Sequence, residues 1–95
     1  MKAYLVAGVK VTDQEVYESY KKGVPATVAA FGGRFIVRGG KMETLEGTWT
    51  PQRLIILEFP DMAKLRMWYD SSEYHPLLEL RQRSALSNVV AIEGI

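Results

Sequence analysis

The residues of this chain best suited to chemistry are few. They are one histidine, His75, an arginine and a glutamate, Arg38 and Glu58, and a set of aromatic rings, Tyr17, Tyr20, Trp68, Tyr69 and Tyr74. Histidine titrates nearest neutral pH, so His75 is a candidate general base. Its place just before Pro76 fits an exposed residue at a helix start equally well. A single histidine cannot build a histidine-cluster metal site, and the absence of cysteine removes thiolate ligands, thiol nucleophiles and disulfides. No metal and no cofactor is expected from these residue types. Arg38 and Glu58 each sit out of phase with the apolar residues beside them, which points both toward one side of a sheet. There they either pair with each other, because an unpaired buried charge is costly, or Arg38 binds an anion such as a small carboxylate or phenolate, with Glu58 as a positioned acid. In an enzyme, His75 or Glu58 would shuttle a proton while Arg38 held an anionic oxygen. The rings are core or interface, or else they line a pocket between helices and sheet with Tyr20, Trp68 and Tyr69 on its wall. Arg81 and Arg83 read as a solvated helix face. Gly39-Gly40 lacks the lysine and following helix of a phosphate loop and reads as a turn. No serine nucleophile motif and no convincingly spaced pair of carboxylates is present.

The elements that must position these groups are organised around Phe31 to Phe59. Phe35, Ile36 and Val37 lie between Gly32-Gly33 and Gly39-Gly40, and Leu54 to Leu57 is an unbroken aliphatic run ending at Glu58-Phe59-Pro60. Short apolar runs bounded by turn residues suit covered strands. Strands are expected at about Arg34 to Arg38 and Gln52 to Phe59, joined by a long connection that leaves Trp49 exposed. Phe35 and Val37 share one face of the first; Ile55, Leu57 and Phe59 share one face of the second.

Upstream, Ala3 to Val11 alternates as a strand. Thr12-Asp13-Gln14-Glu15 matches a capping box with Thr12 as the cap. The helix that follows carries the stripe Val16, Tyr20, Val24, Val28 and Phe31, with a kink or restart expected at Pro25 and a stop at Gly32-Gly33. Downstream, Asp61 caps a second helix, Ser71-Ser72 interrupts it, and a further helical piece begins near Pro76. In that piece Leu77, Leu78, Leu80 and Leu86 supply apolar contacts. Asn88 ends it, and Val89 to Ile92 forms a last strand.

Ninety-five residues make one domain, and a net charge of +1 gives no electrostatic reason to expect nucleic acid or an anionic membrane. The opening MKAYLVAGVKVTD reads as a strand rather than a signal peptide, and no run approaches the length of a membrane span, so a cytoplasmic protein is the expectation. The order β-α-β-β-α-β is the ferredoxin-like split βαβ: an α+β domain with an antiparallel four-stranded sheet in the order 4-1-3-2 and its helices on one face. The other face would carry Tyr4, Val6, Ile36, Leu54 and Ile56, and a homodimer with two sheets face to face would cover it.

Taken together, Tyr17-x-x-Tyr20, GGRFIVRGG, EG, PxRLIILEFP and WYDSSEYHPLLELR resemble the small proteins of the domain of unknown function 1330 family. The likeness runs over almost the whole chain, with departures at Ser72 and at His75-Pro76. The resemblance implies the dimeric α/β-barrel superfamily, in which paired ferredoxin-like sheets form a barrel. The family has no settled activity. Superfamily relatives include cofactor-free monooxygenases, lactone isomerases and haem-binding enzymes, so the resemblance implies a fold and not a chemistry. Two functions remain open: a protein that binds or converts a small, anionic or aromatic metabolite in a helix–sheet pocket, and a non-catalytic dimeric module.

Overall fold

Alternation along the first strand sets the layers of the molecule. In the computed structural model, which describes residues 1–95, β1 (Ala3–Val11) buries Ala3, Leu5, Ala7 and Val9 on one side and leaves Tyr4, Val6 and Gly8 half-covered on the other. The chain continues through α1 (Gln14–Ala30), β2 (Arg34–Arg38), β3 (Arg53–Phe59), α2 (Met62–Tyr69), α3 (His75–Ser84) and β4 (Ala85–Glu93). The four strands form one antiparallel sheet in the order β2-β3-β1-β4, the ferredoxin-like α+β arrangement. The shortest dimension of the fold is 17 Å, which leaves room for one sheet and one layer of helices.

Local chemistry accounts for most element ends, with some corrections. The cap of α1 is Asp13, whose carboxylate accepts from the Val16 amide at 3.2 Å; the Thr12 amide instead donates to the Ser84 carbonyl at 2.7 Å. The Asp13 amide converges on the same carbonyl at 3.0 Å. This junction stops α3 at Ser84, so β4 starts at Ala85 and Asn88 lies inside the strand, earlier than sequence alone indicates. Leu86 consequently leaves the helix and stands exposed on β4. Through Pro25, α1 runs on without a restart. Its buried residues are Tyr17, Val24 and Val28, with Tyr20 and Phe31 partly covered. At its end the Gly33 amide reaches the Val28 carbonyl at 3.0 Å and Gly32 takes φ +78°, the left-handed stop that glycine permits. Asp61 caps α2 through the Lys64 amide at 2.8 Å. The Ser71 hydroxyl then donates to the Trp68 carbonyl at 2.7 Å and accepts from the Tyr74 amide at 3.1 Å, closing α2 and opening α3.

The core lies between helices and sheet, where Phe59, Leu65, Trp68 and Tyr74 are almost wholly buried. Burial of each such side chain stabilises the fold by about 1.5–3 kcal/mol. The Trp68 ring stacks on Tyr74 at 4.1 Å and meets Phe59 at 5.4 Å. On the sheet's other side, Leu86, Val90 and Ile92 are exposed. The connection between β2 and β3 folds back over one end of that side: a Cβ on Gly8 would touch Trp49 and Pro51 at 3.4 Å. Glycine at position 8 gives the Trp49 ring its seat, although Trp49 itself remains mostly exposed, as expected.

Glu58 lies on this outer side, where it accepts from Arg34 at 3.0 Å and Lys2 at 3.4 Å. The Arg34 hydrogen bond, helped by Lys2, holds its carboxyl below the ordinary value of 4.5. A depressed folded-state pKa contributes stability above the ordinary value and loses it as pH falls through the folded one. Urea midpoints measured at neutral pH and at about pH 3 should therefore drop further for the wild type than for Glu58→Gln. Identical drops would show that these cations do not hold the carboxylate.

Candidate functional site

A cavity of about 40 Å³ lies between the helices and the sheet. Leu5, Ala7 and Val9 of β1 and Ile55 and Leu57 of β3 form its sheet wall, and the rings of Tyr20, Phe35, Trp68, Tyr69 and Tyr74 stand around it. Its charged lining residues are Lys21, Arg38, Arg53 and Arg81, and no carboxylate is among them. Arg38 is exposed while lining the cavity, so the space reaches solvent there.

Arg38 arrives by a route that simple alternation cannot show. The pairing of β2 with β3 puts Phe35 opposite Leu57 but Val37 opposite Ile56, so Ile36 is an extra residue in the ladder. From that bulge onward the faces exchange: Val37 joins the outer side and Arg38, opposite Ile55, joins the helix side. Arg38 and Glu58 are thus on opposite faces and form no ion pair. The Arg38 guanidinium instead lies over the Phe35 ring at 4.4 Å and donates to the Lys21 carbonyl at 2.9 Å. That carbonyl is the one whose helical donor would be the amide of residue 25, and proline has none. Arg38 therefore supplies the hydrogen bond that Pro25 removes.

The other cations are held differently. Arg53 has a buried Nε with no hydrogen-bond partner, and its guanidinium packs so closely on the backbone at Gly39 that a side chain there would collide with it. Gly39 also takes φ +68°, a second reason for glycine. Arg81 is only 7 % exposed, not the solvated residue its charged neighbours in the sequence indicate. It joins none of the ion pairs of the chain. Its Nε donates to the Tyr74 hydroxyl at a long 3.5 Å. Burial opposes its charge, but the hydroxyls of Tyr74, Tyr20 and Tyr69 more than offset that and hold its pKa above the ordinary arginine value. The Tyr20 and Tyr74 hydroxyls share a hydrogen bond of 2.8 Å. Burial first, and then the neighbouring Tyr74, push the Tyr20 pKa well up, so Tyr20 stays protonated.

Of the residues singled out from the sequence, Tyr20, Arg38, Trp68 and Tyr69 all come together on the cavity wall. Trp68 contributes only its ring, since its indole N–H donates to the Thr27 hydroxyl at 3.0 Å. His75 and Glu58 do not join them. His75 is exposed at the start of α3, with Nδ1 3.7 Å from Glu79, and Glu58 is across the sheet. Sequence reasoning passed over Lys21 and Arg53 and took Arg81 for a solvated residue. Arg53 is in phase with the partly buried Ile55 and the buried Leu57 and Phe59, and Arg81 follows Leu77 by four residues and Tyr74 by seven, so both carried a periodic signal. No group of three metal-ligating side chains converges anywhere in the fold, and no helix is long and apolar enough to cross a membrane.

The model of a family described as Domain of unknown function (DUF1330) matches residues 2–95. Among solved structures, the chain is similar to RPA0582, a protein of unknown function from Rhodopseudomonas palustris. That TM-score is 0.82 at 16% identity, covering 99% of this chain and 82% of the other. It is also similar to SnoaB, a cofactor-independent oxygenase from Streptomyces nogalater, at TM-score 0.66 and 14% identity over 99% and 93% of the two chains. A third similar structure is HapK from Hahella chejuensis, at TM-score 0.65 and 17% identity over 100% and 93%. No curated protein matches the sequence. At these identities the structural likeness shows the fold alone.

The link between Pro25 and Arg38 is open to a double-mutant cycle. Arg38→Ala should cost about 0.5–1.5 kcal/mol, because the Lys21 carbonyl loses its donor. In a Pro25→Ala background the helix amide returns and the same substitution should cost less than half as much. Equal costs in the two backgrounds, from urea unfolding, would separate the two residues.

Proposed function

The chain belongs to the domain of unknown function 1330 family, and from that premise we propose that it binds a small anionic metabolite with an aromatic or apolar body in the cavity between helices and sheet. One observation carries this reading: Arg38, Arg53 and Arg81, none of them paired with a carboxylate, line a space otherwise walled by rings and aliphatic side chains, beside a Lys21 that pairs with Glu18 at 3.0 Å. Like charges gathered around one partly buried space repel, and an incoming anion relieves that repulsion. Arginine suits the task because its planar fork binds carboxylate and other oxyanions through more than one N–H. A volume of about 40 Å³ admits the ligand's polar head; a larger body is accommodated where the cavity opens at Arg38. The wall offers tyrosine hydroxyls but no histidine or carboxylate for proton transfer, so binding is the part of the reading that the geometry supports. The rival reading, a module whose Arg38 and Glu58 merely satisfy each other, lacks that ion pair.

A second copy of the chain belongs to the same proposal. The fold has one layer of helices, and its outer sheet side presents Leu86, Val90 and Ile92 beside the half-covered Val6, Leu54 and Ile56. A two-fold pairing of this side would cover all of them while leaving the cavity, on the opposite side, free.

Two measurements test these statements. In thermal-shift titrations, benzoate and phenylacetate should raise Tm while the neutral benzamide and phenylacetamide do not, and Arg38→Ala should weaken the acids on the order of tenfold. Equal shifts from acids and amides, or none from either, would overturn the anion reading. Light scattering should give twice the 10.7 kDa chain mass, and Val90→Lys should return the monomer. A folded wild-type monomer at micromolar concentration would remove the dimer.

A further inference from the structure

Arg81, Tyr74 and Tyr20 form a short chain of polar groups inside the aromatic part of the cavity wall. Its direction follows from what each group can do. A guanidinium only donates, so the Tyr74 oxygen must accept from Arg81. Tyr74 is 1 % exposed, and the one acceptor of its hydroxyl is the Tyr20 oxygen, 2.8 Å away. An unmade hydrogen bond at that buried site is unfavourable, so Tyr74 donates to Tyr20. Tyr20 is then left with a free O–H on the cavity wall, and its side chain makes no other hydrogen bond. Each donation polarises the next, and the buried Arg81 charge, with no carboxylate to neutralise it, adds to the positive potential there.

Building on the anion-binding reading, we propose that this relay ends in an oxyanion site. In it the Tyr20 hydroxyl, positioned by Tyr74 and Arg81, receives the oxygen of a deprotonated aromatic hydroxyl, a phenolate or the enolate of an aromatic ketone. The ring of such a ligand meets the rings of Tyr69 and Phe35, and its charge supplies the counter-ion that Arg81 lacks. A neutral phenol that binds here gives up its proton to bulk water, so one O–H bond breaks and one hydronium leaves with no other reactant. The groups facing the site from each packed element are Lys21 and Tyr17 of α1, Arg38 of β2, Arg53 of β3, Tyr69 of α2 and Arg81 of α3. Lys21 already pairs with Glu18 at 3.0 Å, so it is the three arginines among them that favour the charged ligand.

The probe is para-nitrophenol, whose phenolate absorbs visible light and so reports its own ionisation when bound. Its apparent pKa should fall by about one unit or more on the full-length protein, and its methyl ether should bind at least tenfold more weakly. Tyr20→Phe should abolish the pKa fall while benzoate still raises Tm. Arg81→Met puts an apolar side chain in place of the charge that polarises Tyr74 and should also abolish the fall. Retention of benzoate binding with no pKa fall in the wild type would overturn the relay and leave the anion-binding reading standing. Failure of both probes would overturn both. A pKa fall that survives Tyr20→Phe would assign the oxyanion to Arg38 or Arg53 and overturn the relay.

Discussion

A β-strand allots its side chains to two faces in alternation, and one extra residue reverses the allotment for all that follow. In this protein the extra residue is Ile36. Without it, Arg38 would project to the outer side of the sheet, the side that holds Glu58, and the two charges would share a face. With it, the guanidinium crosses to the helix side and the carboxylate stays behind with Arg34 and Lys2. The place of Arg38 among the cations on the helix side depends on that single insertion.

The helix facing Arg38 is arranged to meet it. Pro25 within α1 strips the Lys21 carbonyl of its helical partner, and an unpaired carbonyl beside a packed sheet is unfavourable. The Arg38 guanidinium answers it at 2.9 Å and rests its flat side on Phe35. Two features unfavourable alone, a proline inside a helix and an arginine turned toward a core, become one favourable contact at the cavity's opening. The Ser84 carbonyl does comparable work at the far end of the helix layer, where two amides from the start of α1 fix the place at which α3 gives way to β4.

Arg81 is different in kind. Burial of a guanidinium without a carboxylate beside it is unfavourable, and the hydroxyls of Tyr74, Tyr20 and Tyr69 offset it. Groups held at such a cost are concentrated where proteins do their work. Arg53, with its unpartnered buried Nε, is a second such group on the cavity wall.

Fold class, strand order and the division of β1 and β3 into faces were legible in the residues, because they rest on local rules: alternation in β1 and β3, a carboxylate cap at Asp61, glycine at the end of α1. The gathering of Tyr20, Arg38, Trp68 and Tyr69 was legible as a set of residue types, though the argument that put Arg38 beside Glu58 was wrong. Parity arguments presume an unbroken ladder, and a bulge is a property of two strands in register, not of one read alone. The burial of Arg81 and Arg53 was likewise undecided, because a charged residue in phase with apolar ones can be core or surface until neighbouring elements close over it. Sequence by itself determined which elements form, through interactions that reach only a few residues along the chain. Tertiary structure alone decided which charges share a space, because that depends on register and packing between segments far apart in sequence.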